Sequence, residues 1–533
     1  MLGLELLYGP VGITLWIGFI SVLFYWYSTR NFDYWKKRNV PYVKPYPLMG
    51  TLAESFFNVF HEVENKRYKE LGRIYGHFEG TNPVLSVAEP DLLRSIFVKD
   101  FTHFANRRSL ATGDEIVDKM VSVVNGEDWK RIRTIITPTF STGKIKRVMS
   151  IFKDCAKTAV ENFKSEIASG KTIEVKRIFG AFTMDVIASS AFSTKIDSHN
   201  NPDNMFVAKA RKVFRQTFSW RFLMFFLCPS LMKLLKISVF PPSITSFFAS
   251  VTLQIMEERT RTGQTRNDFL QLLMDTTKEL ADDPNSELNE KESGDLSVYG
   301  GVSTDHQVFK GVNKKKLSQN ELIGNCVIFF LAGYDTTAST LSFVSYLLAL
   351  NPDIQEKLHQ ELVDTLEKTN GELTYEALQG MKYLDNIISE TMRLYPPATR
   401  MERQCTQDYE LGNTGISIPK GMILTVPVCA MHRDPQNFPD PEKFDPDRFS
   451  TMEKAGRDQY TYLPFGAGPR NCVGMRFALT EIKVCLAFVV ANFKISKCPE
   501  TRVPLEFLTV QGLLQPKDII LKMELREDNP LRK

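Results

Sequence analysis

The sequence lacks the short motifs by which most protein metal sites are recognised. Its 533 residues include eight cysteines, yet no two form a C-x-x-C pair, and none of the seven histidines belongs to an H-E-x-x-H motif. Neither a disulfide framework nor a zinc site is supported, and scattered free thiols indicate a reducing compartment. Charge of one sign is also scarce, because 66 basic and 62 acidic residues leave a net charge of +4. We therefore expect no nucleic-acid partner.

No long low-complexity linker divides the chain, so one large domain with a terminal appendage is the simplest organisation. The appendage is the apolar N-terminus, where residues 11–27 are uncharged and, with the apolar residues before them, long enough to cross a bilayer core of about 30 Å. The basic residues that follow predict a cytosolic location for the rest of the chain. A cleaved signal peptide is the alternative, but no small-residue cleavage site follows the run. We expect an anchor at 1–28, a basic, Pro-rich and stiff linker at 29–50, and the main domain at 51–533.

Periodicity predicts a mainly α fold with small β-sheets. The β-like pieces are residues 84–87, 416–418 and 423–428. The Phe-rich stretch 214–248 could line an apolar cavity, dip into lipid or form ordinary core helices. The polar stretch 278–316 is typical of an exposed, mobile loop.

The stretch Phe465–Gly474 places Cys472 in a tight basic loop ahead of a helix expected over residues 475–493. Its glycines allow tight turns and close approaches, and both Arg470 and the helix N-terminus favour a deprotonated sulfur. The loop is therefore typical of a metal-thiolate site, with the metal held in a cofactor such as haem. A buried structural cysteine is the alternative. A dinucleotide site is rejected, because Asn471 stands where the third glycine of G-x-G-x-x-G would be.

A long helix is predicted from Ser318, which forms a capping box with Glu321, to Leu350, which precedes Pro352. At its middle, an acid and hydroxyl groups interrupt apolar sequence in the segment 332–337. Threonine hydroxyls can bond to the carbonyl four residues back and open a helix locally, which leaves room for a ligand.

Three further charged patterns are weak signals when each is taken alone. Trp129 and Arg133 lie one turn apart on a predicted helix and can face one anionic target. Glu390 and Arg393 share a helical face, a common surface arrangement. Arg448 lies in an irregular Pro-rich stretch that needs side-chain anchors to stay ordered.

Together these motifs resemble the cytochrome P450 superfamily. The stretch Phe465–Gly474 matches its signature F-x-x-G-x-R-x-C-x-G at every fixed position, and the other motifs follow in the family's order. The segment 332–336 is similar to the oxygen-activation motif, and Trp129 with Arg133 to the propionate-binding helix. Glu390, Arg393 and Arg448 are similar to the family's ion cluster. The similarity covers residues 30–525, so the P450 fold with a single large haem domain is expected.

The resemblance implies haem b with Cys472 as the axial iron ligand. It further implies a set of cofactor contacts at Arg107, Trp129, Arg133, Ala332, Gly333, Arg403, Phe465, Arg470 and Gly474. Gly333 is expected to leave space above the iron, and Asp335 with Thr336 to hold water and pass protons to dioxygen. The substrate pocket is expected at Phe329, Phe330, Ala398, Thr399 and Leu513.

Because no flavin or nucleotide motif is present, the resemblance implies a separate electron donor. This is NADPH–cytochrome P450 reductase, with cytochrome b5 as a second candidate, and it would dock on basic residues such as Lys130, Arg131 and Lys144. Asn106–Arg108 and Pro441–Phe444 are similar to microsomal family-three enzymes, which act on lipophilic compounds. We therefore expect a monooxygenase of the endoplasmic reticulum membrane that oxidises xenobiotics, steroids or fatty acids. The alternatives are a peroxide-rearranging isomerase and a non-catalytic lipophile-binding protein.

Overall fold

The computed structural model describes residues 9–109, 113–199, 204–214, 220–239, 241–266, 268–279, 308–309, 316–509 and 512–532. Within them the fold is mainly helical. The helices of the N-terminal half are α1 (Pro10–Thr29), α2 (Leu52–Phe57), α3 (Phe60–Leu71), α4 (Pro90–Arg94), α5 (Gly126–Ile136), α6 (Thr142–Arg147), α7 (Met149–Ala168), α8 (Val175–Phe192), α9 (Met205–Phe214), α10 (Trp220–Leu227), α11 (Pro229–Leu234), α12 (Pro242–Thr262) and α13 (Phe269–Glu279). Those of the C-terminal half are α14 (Gln319–Leu350), α15 (Pro352–Lys368), α16 (Tyr375–Gly380), α17 (Lys382–Leu394), α18 (Val428–Met431), α19 (Thr451–Ala455) and α20 (Met475–Asn492).

The strands form three small sheets. They are β1 (Ile74–Glu79), β2 (Asn82–Val87), β3 (Ile173–Glu174), β4 (Met401–Gln404), β5 (Tyr409–Glu410), β6 (Ser417–Ile418), β7 (Ile423–Val426), β8 (Phe493–Ser496) and β9 (Ile520–Leu525). The sheet orders are β1-β2-β7-β4, β3-β9-β8 and β5-β6. β2 and β7 run parallel, and the other paired strands are antiparallel. The prediction of an α-rich fold with small sheets is confirmed.

The long central helix α14 begins and ends as predicted. Ser318 is its N-cap, and the hydroxyl of Ser318 accepts from the backbone N–H of Glu321 while the Glu321 carboxylate accepts from the Ser318 N–H. The helix has 32 residues and is therefore about 48 Å long. It is continuous, so the expected local opening near Thr336 is not seen. Most of its side chains are buried, which makes it the axis of the core.

The three predicted β-like pieces all contain strands. Residues 84–87 lie in β2, and residues 416–418 contain β6. The third strand, β7, ends at Val426 because Pro427 has no N–H to extend the ladder. Helix α18 then begins at Val428, so the predicted piece 423–428 is two residues too long.

The N-terminal apolar helix α1 is largely exposed. It and α14 are the two helices of the described chain that are long and apolar enough to cross a membrane. In an apolar 18-residue window, 11% of the residues are buried in α1 and 72% in α14. The segment after α1 differs from a free-standing spacer. Trp35 has no exposed surface and donates its indole N–H to the His77 carbonyl at 3.1 Å. Tyr42 bridges to Gly76 in β1, so this segment packs against the first sheet.

The Phe-rich stretch divides between core and surface. Phe248 is buried against the rings of Phe206 and Phe330, whereas Trp220 and Leu234 are exposed. Most of the predicted loop 278–316 lies outside the described residues.

The main core lies where α7, α8, α14, α17 and α20 pack together. Helix α8 lies closest against α14, and small residues allow that approach. A Cβ at Gly333 would meet the Ile187 side chain at 2.9 Å, and a Cβ at Gly180 would meet the Tyr334 hydroxyl at 3.3 Å. This packing fixes the middle of α14 relative to α20, the helix that follows Cys472.

Candidate active site

Cys472 lies at the end of a tight hairpin-like loop. Its backbone N–H donates to the Phe465 carbonyl at 2.9 Å, and the Asn471 N–H donates to the Gly468 carbonyl at 3.0 Å. Gly466 and Gly468 adopt φ values of 76° and 69°, a left-handed conformation that other residues rarely adopt. A Cβ at Gly468 would lie 1.9 Å from the Phe97 carbonyl oxygen. Glycine is therefore required there for two separate reasons.

The Cys472 thiol has protein close by on several sides, although its side chain keeps some exposed surface. The side chain is exposed, yet burial raises the pKa of the thiol, while the Gly474 N–H and the charges of Arg133 and Arg107 act to lower it. The sequence had assigned this electrostatic role to Arg470. The structure gives it to Arg133 and Arg107 instead, because the Arg470 guanidinium points away toward carbonyl groups. Gly474 is also the N-cap residue of α20, so the sulfur lies at a helix N-terminus as expected.

Arg470 is buried beneath the loop that precedes α5. Its guanidinium donates to the carbonyls of Ala105 and Val124 and to Asn125 Oδ1, and it lies 4.8 Å from the centre of the Trp129 ring. Its Nε has no partner. Burial, followed by the charges of Arg107, Arg403 and Arg133, lowers the pKa of Arg470 well below its ordinary value.

Three more guanidinium groups converge on the same place. Arg133 donates to the carbonyl of Asn471 at 2.9 Å and to its side-chain oxygen at 2.8 Å. Arg107 donates to the Arg470 carbonyl at 3.3 Å. Arg403 is 3% exposed and lies over the Phe97 ring, and its Nε has no partner. Trp129, Arg133 and Arg470 therefore meet as the spacing predicted, and Arg107 and Arg403 join them.

Two members of this arginine cluster have the same nearby acid. Glu402 is the acid that acts on Arg107 and Arg403, but it is shared with Arg108, which lies 3.1 Å away, and with Arg400 at 3.7 Å. Burial, followed by the charge of Arg107, lowers the pKa of Arg403 to about 9. Buried cations need an anionic counterpart. A cofactor that carries carboxylates, with its metal at Cys472, fits this donor set.

A second buried charge cluster supports the irregular segment before the cysteine loop. Arg393 donates to both oxygens of Glu390, at 2.7 and 2.8 Å, and Arg448 lies 3.4 Å from the same carboxylate. Arg393 also donates to the carbonyls of His432 and Lys443. His432 in turn accepts from the Leu463 N–H at 2.9 Å. The three charged residues expected to form a cluster do so, and they are connected to the start of the cysteine loop.

The middle of α14 presents two different faces. Thr336 donates to the Ala332 carbonyl at 2.7 Å, which is the predicted bond to the fourth residue back. Ala332 is exposed although most of its neighbours in α14 are buried. A Cβ at Gly333 would meet the Ile187 side chain of α8, so its small size also serves helix packing. Asp335 is 4% exposed and pairs with Lys176, 3.3 Å away, and with Gln515.

The residues expected to line a pocket form two groups. Ala398 bridges to Leu513, and the Thr399 N–H donates to the Gly512 carbonyl at 3.3 Å, so Ala398, Thr399 and Leu513 lie together. Phe330 is buried and stacks on Phe192, with ring centres 4.3 Å apart. Phe329 contacts the rings of Phe269 and Phe140. These two phenylalanines therefore belong to an aromatic cluster between helices.

Two asparagines were missed by the sequence reasoning. Asn125 Oδ1 accepts from the Arg107 N–H at 3.0 Å and from Arg470, and its Nδ2 donates to the Arg107 carbonyl. The side-chain oxygen of Asn471 accepts a hydrogen bond from Arg133. The position of Asn125 just before α5 was the available signal, since asparagine is common at helix N-caps.

A polar groove of about 710 Å³ is lined in part by α20, the helix that follows Cys472. Helix α20 contributes Arg476 and Lys483 to it, and the other basic residues of the groove are Lys382, Lys454 and Arg457. The expected basic residues Lys130 and Arg131 are already engaged by acids. Lys130 pairs with Glu127 at 2.8 Å, and Arg131 pairs with Asp128 and Glu321.

Comparison with known proteins identifies the family. The cytochrome P450 family model matches residues 40–297 and 302–523. The chain belongs to the cytochrome P450 family. It is 38% identical over 513 residues to cytochrome P450 3A12 of Canis lupus familiaris, and 39% identical over 514 residues to cytochrome P450 3A9 of Rattus norvegicus. Cytochrome P450 3A13 of Mus musculus is 38% identical over 514 residues, and each alignment covers 95% of both chains.

The protein is thus a P450 monooxygenase of the family-three type, and the P450 family implies a haem–thiolate cofactor. The cysteine in a loop at a helix N-terminus and the buried arginine cluster are consistent with such a cofactor.

Proposed function

We propose that this P450 inserts one atom of dioxygen into lipophilic substrates, with haem b bound by Cys472. The observation that carries the proposal is the juxtaposition of the Cys472 loop with four guanidinium groups, two of which, Arg107 and Arg403, have Glu402 as a nearby acid. Two propionates would supply the missing negative charge, held by Arg107, Arg133, Arg403 and Arg470, with Trp129 beneath Arg470. When bound, the haem iron supplies the activation of dioxygen.

The residues around Cys472 would tune and protect the thiolate. The Gly474 N–H donates to the sulfur, which is the type of contact that adjusts a metal ligand's electron donation. Phe465 is half-buried and packs against the main core, so it would help to exclude water from the sulfur. Gly468 fixes the turn that aims Cys472.

The middle of α14 would provide the distal wall of the site. Ala332 is exposed and small, which is consistent with a position next to the cofactor, and Gly333 would leave space there. Thr336 would hold water, and Asp335 would hold or move a proton beside it. The presence of both residues favours a monooxygenase over an isomerase that rearranges peroxides and needs no proton delivery.

The substrate would lie near Ala398, Thr399 and Leu513, with the aromatic cluster at Phe329 and Phe330 behind it. The apolar character of these residues fits lipophilic compounds such as xenobiotics, steroids or fatty acids. Glu390, Arg393 and Arg448 would keep the irregular segment ordered.

Electrons would come from NADPH through a separate reductase, with cytochrome b5 as a second donor. The groove that contains Lys382 and Arg476 offers an acidic protein a basic surface on the Cys472 side. Helix α1 would anchor the protein as residues 1–28. The basic residues that follow it, Arg30, Lys36, Lys37 and Arg38, favour a cytosolic domain on the endoplasmic reticulum membrane.

The test is a carbon monoxide difference spectrum of the reduced protein, followed by turnover. We expect the red-shifted Soret band of thiolate ligation and its loss in Cys472→Ser, whereas the matched variant Cys498→Ser should keep it. With reductase and NADPH, a panel of testosterone, lauric acid and benzyloxyresorufin should give an oxygenated or dealkylated product from at least one compound. An unshifted band in the unmodified protein would rule out the proposed ligand.

A further inference from the structure

Asp335 is one corner of a closed triangle of polar side chains. Lys176 Nζ lies 3.3 Å from Asp335 Oδ1, and Gln515 Nε2 donates to Asp335 Oδ2. Lys176 also donates to Gln515 Oε1 at 2.5 Å. Both carboxylate oxygens are therefore engaged, each by a different residue.

The triangle is buried and joins three distant parts of the chain. Asp335 is 4% exposed, Gln515 is 2% exposed and the Lys176 side chain is 14% exposed. Lys176 lies in the first turn of α8, Asp335 in the middle of α14 and Gln515 in the segment before β9. A carboxylate at such a depth is costly unless it is paired and hydrogen-bonded, so Lys176 compensates its charge and Gln515 restricts its orientation.

Gln515 also belongs to the segment that lines the proposed substrate site. Leu513 bridges to Ala398, the Leu514 N–H donates to the Pro397 carbonyl at 2.9 Å, and the Thr399 N–H donates to the Gly512 carbonyl. Gln515 follows Leu513 by two residues. A substrate that displaces Leu513 therefore acts, through two residues of backbone, on the side chain that holds Asp335.

We propose that Lys176 and Gln515 are positioning residues for Asp335, and that Gln515 couples occupation of the substrate site at Leu513 to the orientation of that carboxylate. The inference rests on the proposed function, in which Asp335 and Thr336 deliver protons. Lys176 compensates the negative charge of the Asp335 carboxylate, and Gln515 fixes the orientation of that carboxylate. Loss of the Gln515 donor frees one carboxylate oxygen, so that Asp335 can rotate away from the productive orientation.

The first test measures how NADPH electrons divide between product and hydrogen peroxide, with reductase and the compound of the panel that is turned over. In Gln515→Leu we expect the ratio of peroxide to product to rise roughly tenfold, less than the hundredfold or greater effect typical of removing an acid–base group. Gln360→Leu is the matched control, because Gln360 donates to Asp364 at 2.8 Å on the surface. An unchanged ratio in Gln515→Leu would overturn the proposal.

The response of peroxide formation to substrate distinguishes a positioning role of Gln515 from a merely structural one. In the unmodified protein, peroxide formation should fall when the compound is added, and in Gln515→Leu that fall should be lost. A merely structural role would lower stability in both conditions without removing this response. If Gln515→Leu does not fold, Gln515→Glu keeps the side-chain size and replaces the donor with an acceptor, and it should lose the response in the same way.

The second test needs no turnover. A double-mutant cycle of thermal midpoints compares Lys176→Met and Asp335→Asn, singly and together, in the haem-loaded protein. We expect Lys176→Met to lower the midpoint in the unmodified background but not beside Asp335→Asn, and Lys176→Arg to restore it. Lys164→Met, which removes the half-buried partner of the exposed Glu161, serves as the control. If the effects of Lys176→Met and Asp335→Asn on the thermal midpoint are additive, Lys176 and Asp335 do not interact and the proposed triangle is wrong.

The two failures can be told apart. If the unmodified protein gives no product from any compound, the proposed function fails, while the thermal cycle still reports on the triangle. If product forms and the cycle shows coupling but Gln515→Leu leaves the peroxide ratio unchanged, the triangle is structural and the positioning role is wrong.

Discussion

Arg393 donates two hydrogen bonds to Glu390 in a part of the core where neither side chain has any exposed surface. A buried pair of this kind contributes little net stability compared with an apolar pair, but the loss of one partner leaves a charge without compensation. Burial already raises the pKa of Glu390, and Arg393 opposes that effect.

We therefore expect Arg393→Met to reduce the free energy of unfolding by about 3–5 kcal/mol. Urea unfolding followed by circular dichroism measures this loss. Lys164→Met, which removes a solvent-accessible lysine, 32% exposed, at the same three-residue spacing from its acid, should cost much less. Equal losses in the two variants would contradict the assignment of Arg393 to a buried cluster.

Arg403→Gln should weaken cofactor binding without a matching loss of fold stability. The variant removes a charge-assisted hydrogen bond worth roughly 1.5–3 kcal/mol, so haem should transfer to apomyoglobin about ten to a hundred times faster. Repulsion from Arg107 also disappears, so the thermal midpoint of the haem-free protein should not fall. A lower midpoint with unchanged haem transfer would show that Arg403 has only a structural role.

Gly468→Ala should prevent the cysteine loop from closing. Its φ of 69° costs a side chain roughly 1–2 kcal/mol, and the new Cβ would also meet the Phe97 carbonyl oxygen at 1.9 Å. We expect a sharp reduction in the fraction of protein with the thiolate-type carbon monoxide spectrum. Gly143→Ala in α6, where no heavy atom lies within 4 Å, should leave that fraction unchanged.

Glu481 should make the protein less stable as the pH rises. Its carboxyl is 1% exposed, one oxygen has no partner, and burial raises its pKa well above 4.5. Above about pH 4.5 the unfolded chain releases this proton while the folded protein retains it, so the free energy of unfolding falls with increasing pH. Glu481→Gln should flatten this dependence and raise the thermal midpoint at neutral pH. The exposed substitution Glu500→Gln should do neither.

Lys382→Glu should slow turnover supported by reductase and NADPH, because it reverses a charge in the basic groove. Turnover driven by added peroxide, which needs no partner, should be unaffected. Lys164→Glu on α7 controls for the change in net charge. If Lys382→Glu slows both reactions equally, the groove is not the docking surface.

Local sequence signals predicted much of the fold. The capping box of Ser318 and Glu321 located the start of α14, Pro352 located its end, and Pro427 explains where β7 stops. These signals act through neighbours in sequence, so they can be recognised without a structure. The Cys472 loop was likewise recognisable, because its glycines and its position before a helix are local features.

The remaining contacts join residues far apart in sequence. Gly468 meets Phe97, and Asp335 meets Gln515 and Lys176, over separations that no local pattern encodes. The packing of Gly333 against Ile187 is another contact of this kind, and its expected role beside a cofactor stays a prediction. The packing of Trp35 within the predicted linker 29–50 could not be foreseen for the same reason, because the site that buries Trp35 is formed by β1.

The burial of Trp35 limits how the catalytic domain can move relative to a membrane. Helix α1 ends at Thr29, so only residues 30–34 separate it from a side chain fixed in the core. Such a segment reaches at most about 17 Å when fully extended, and the Asn31 side chain also donates to the Thr81 carbonyl at 3.1 Å. If α1 crosses the membrane as proposed, the domain is held on a short tether and cannot tumble freely. A substrate dissolved in the bilayer would meet the same side of the enzyme at each encounter.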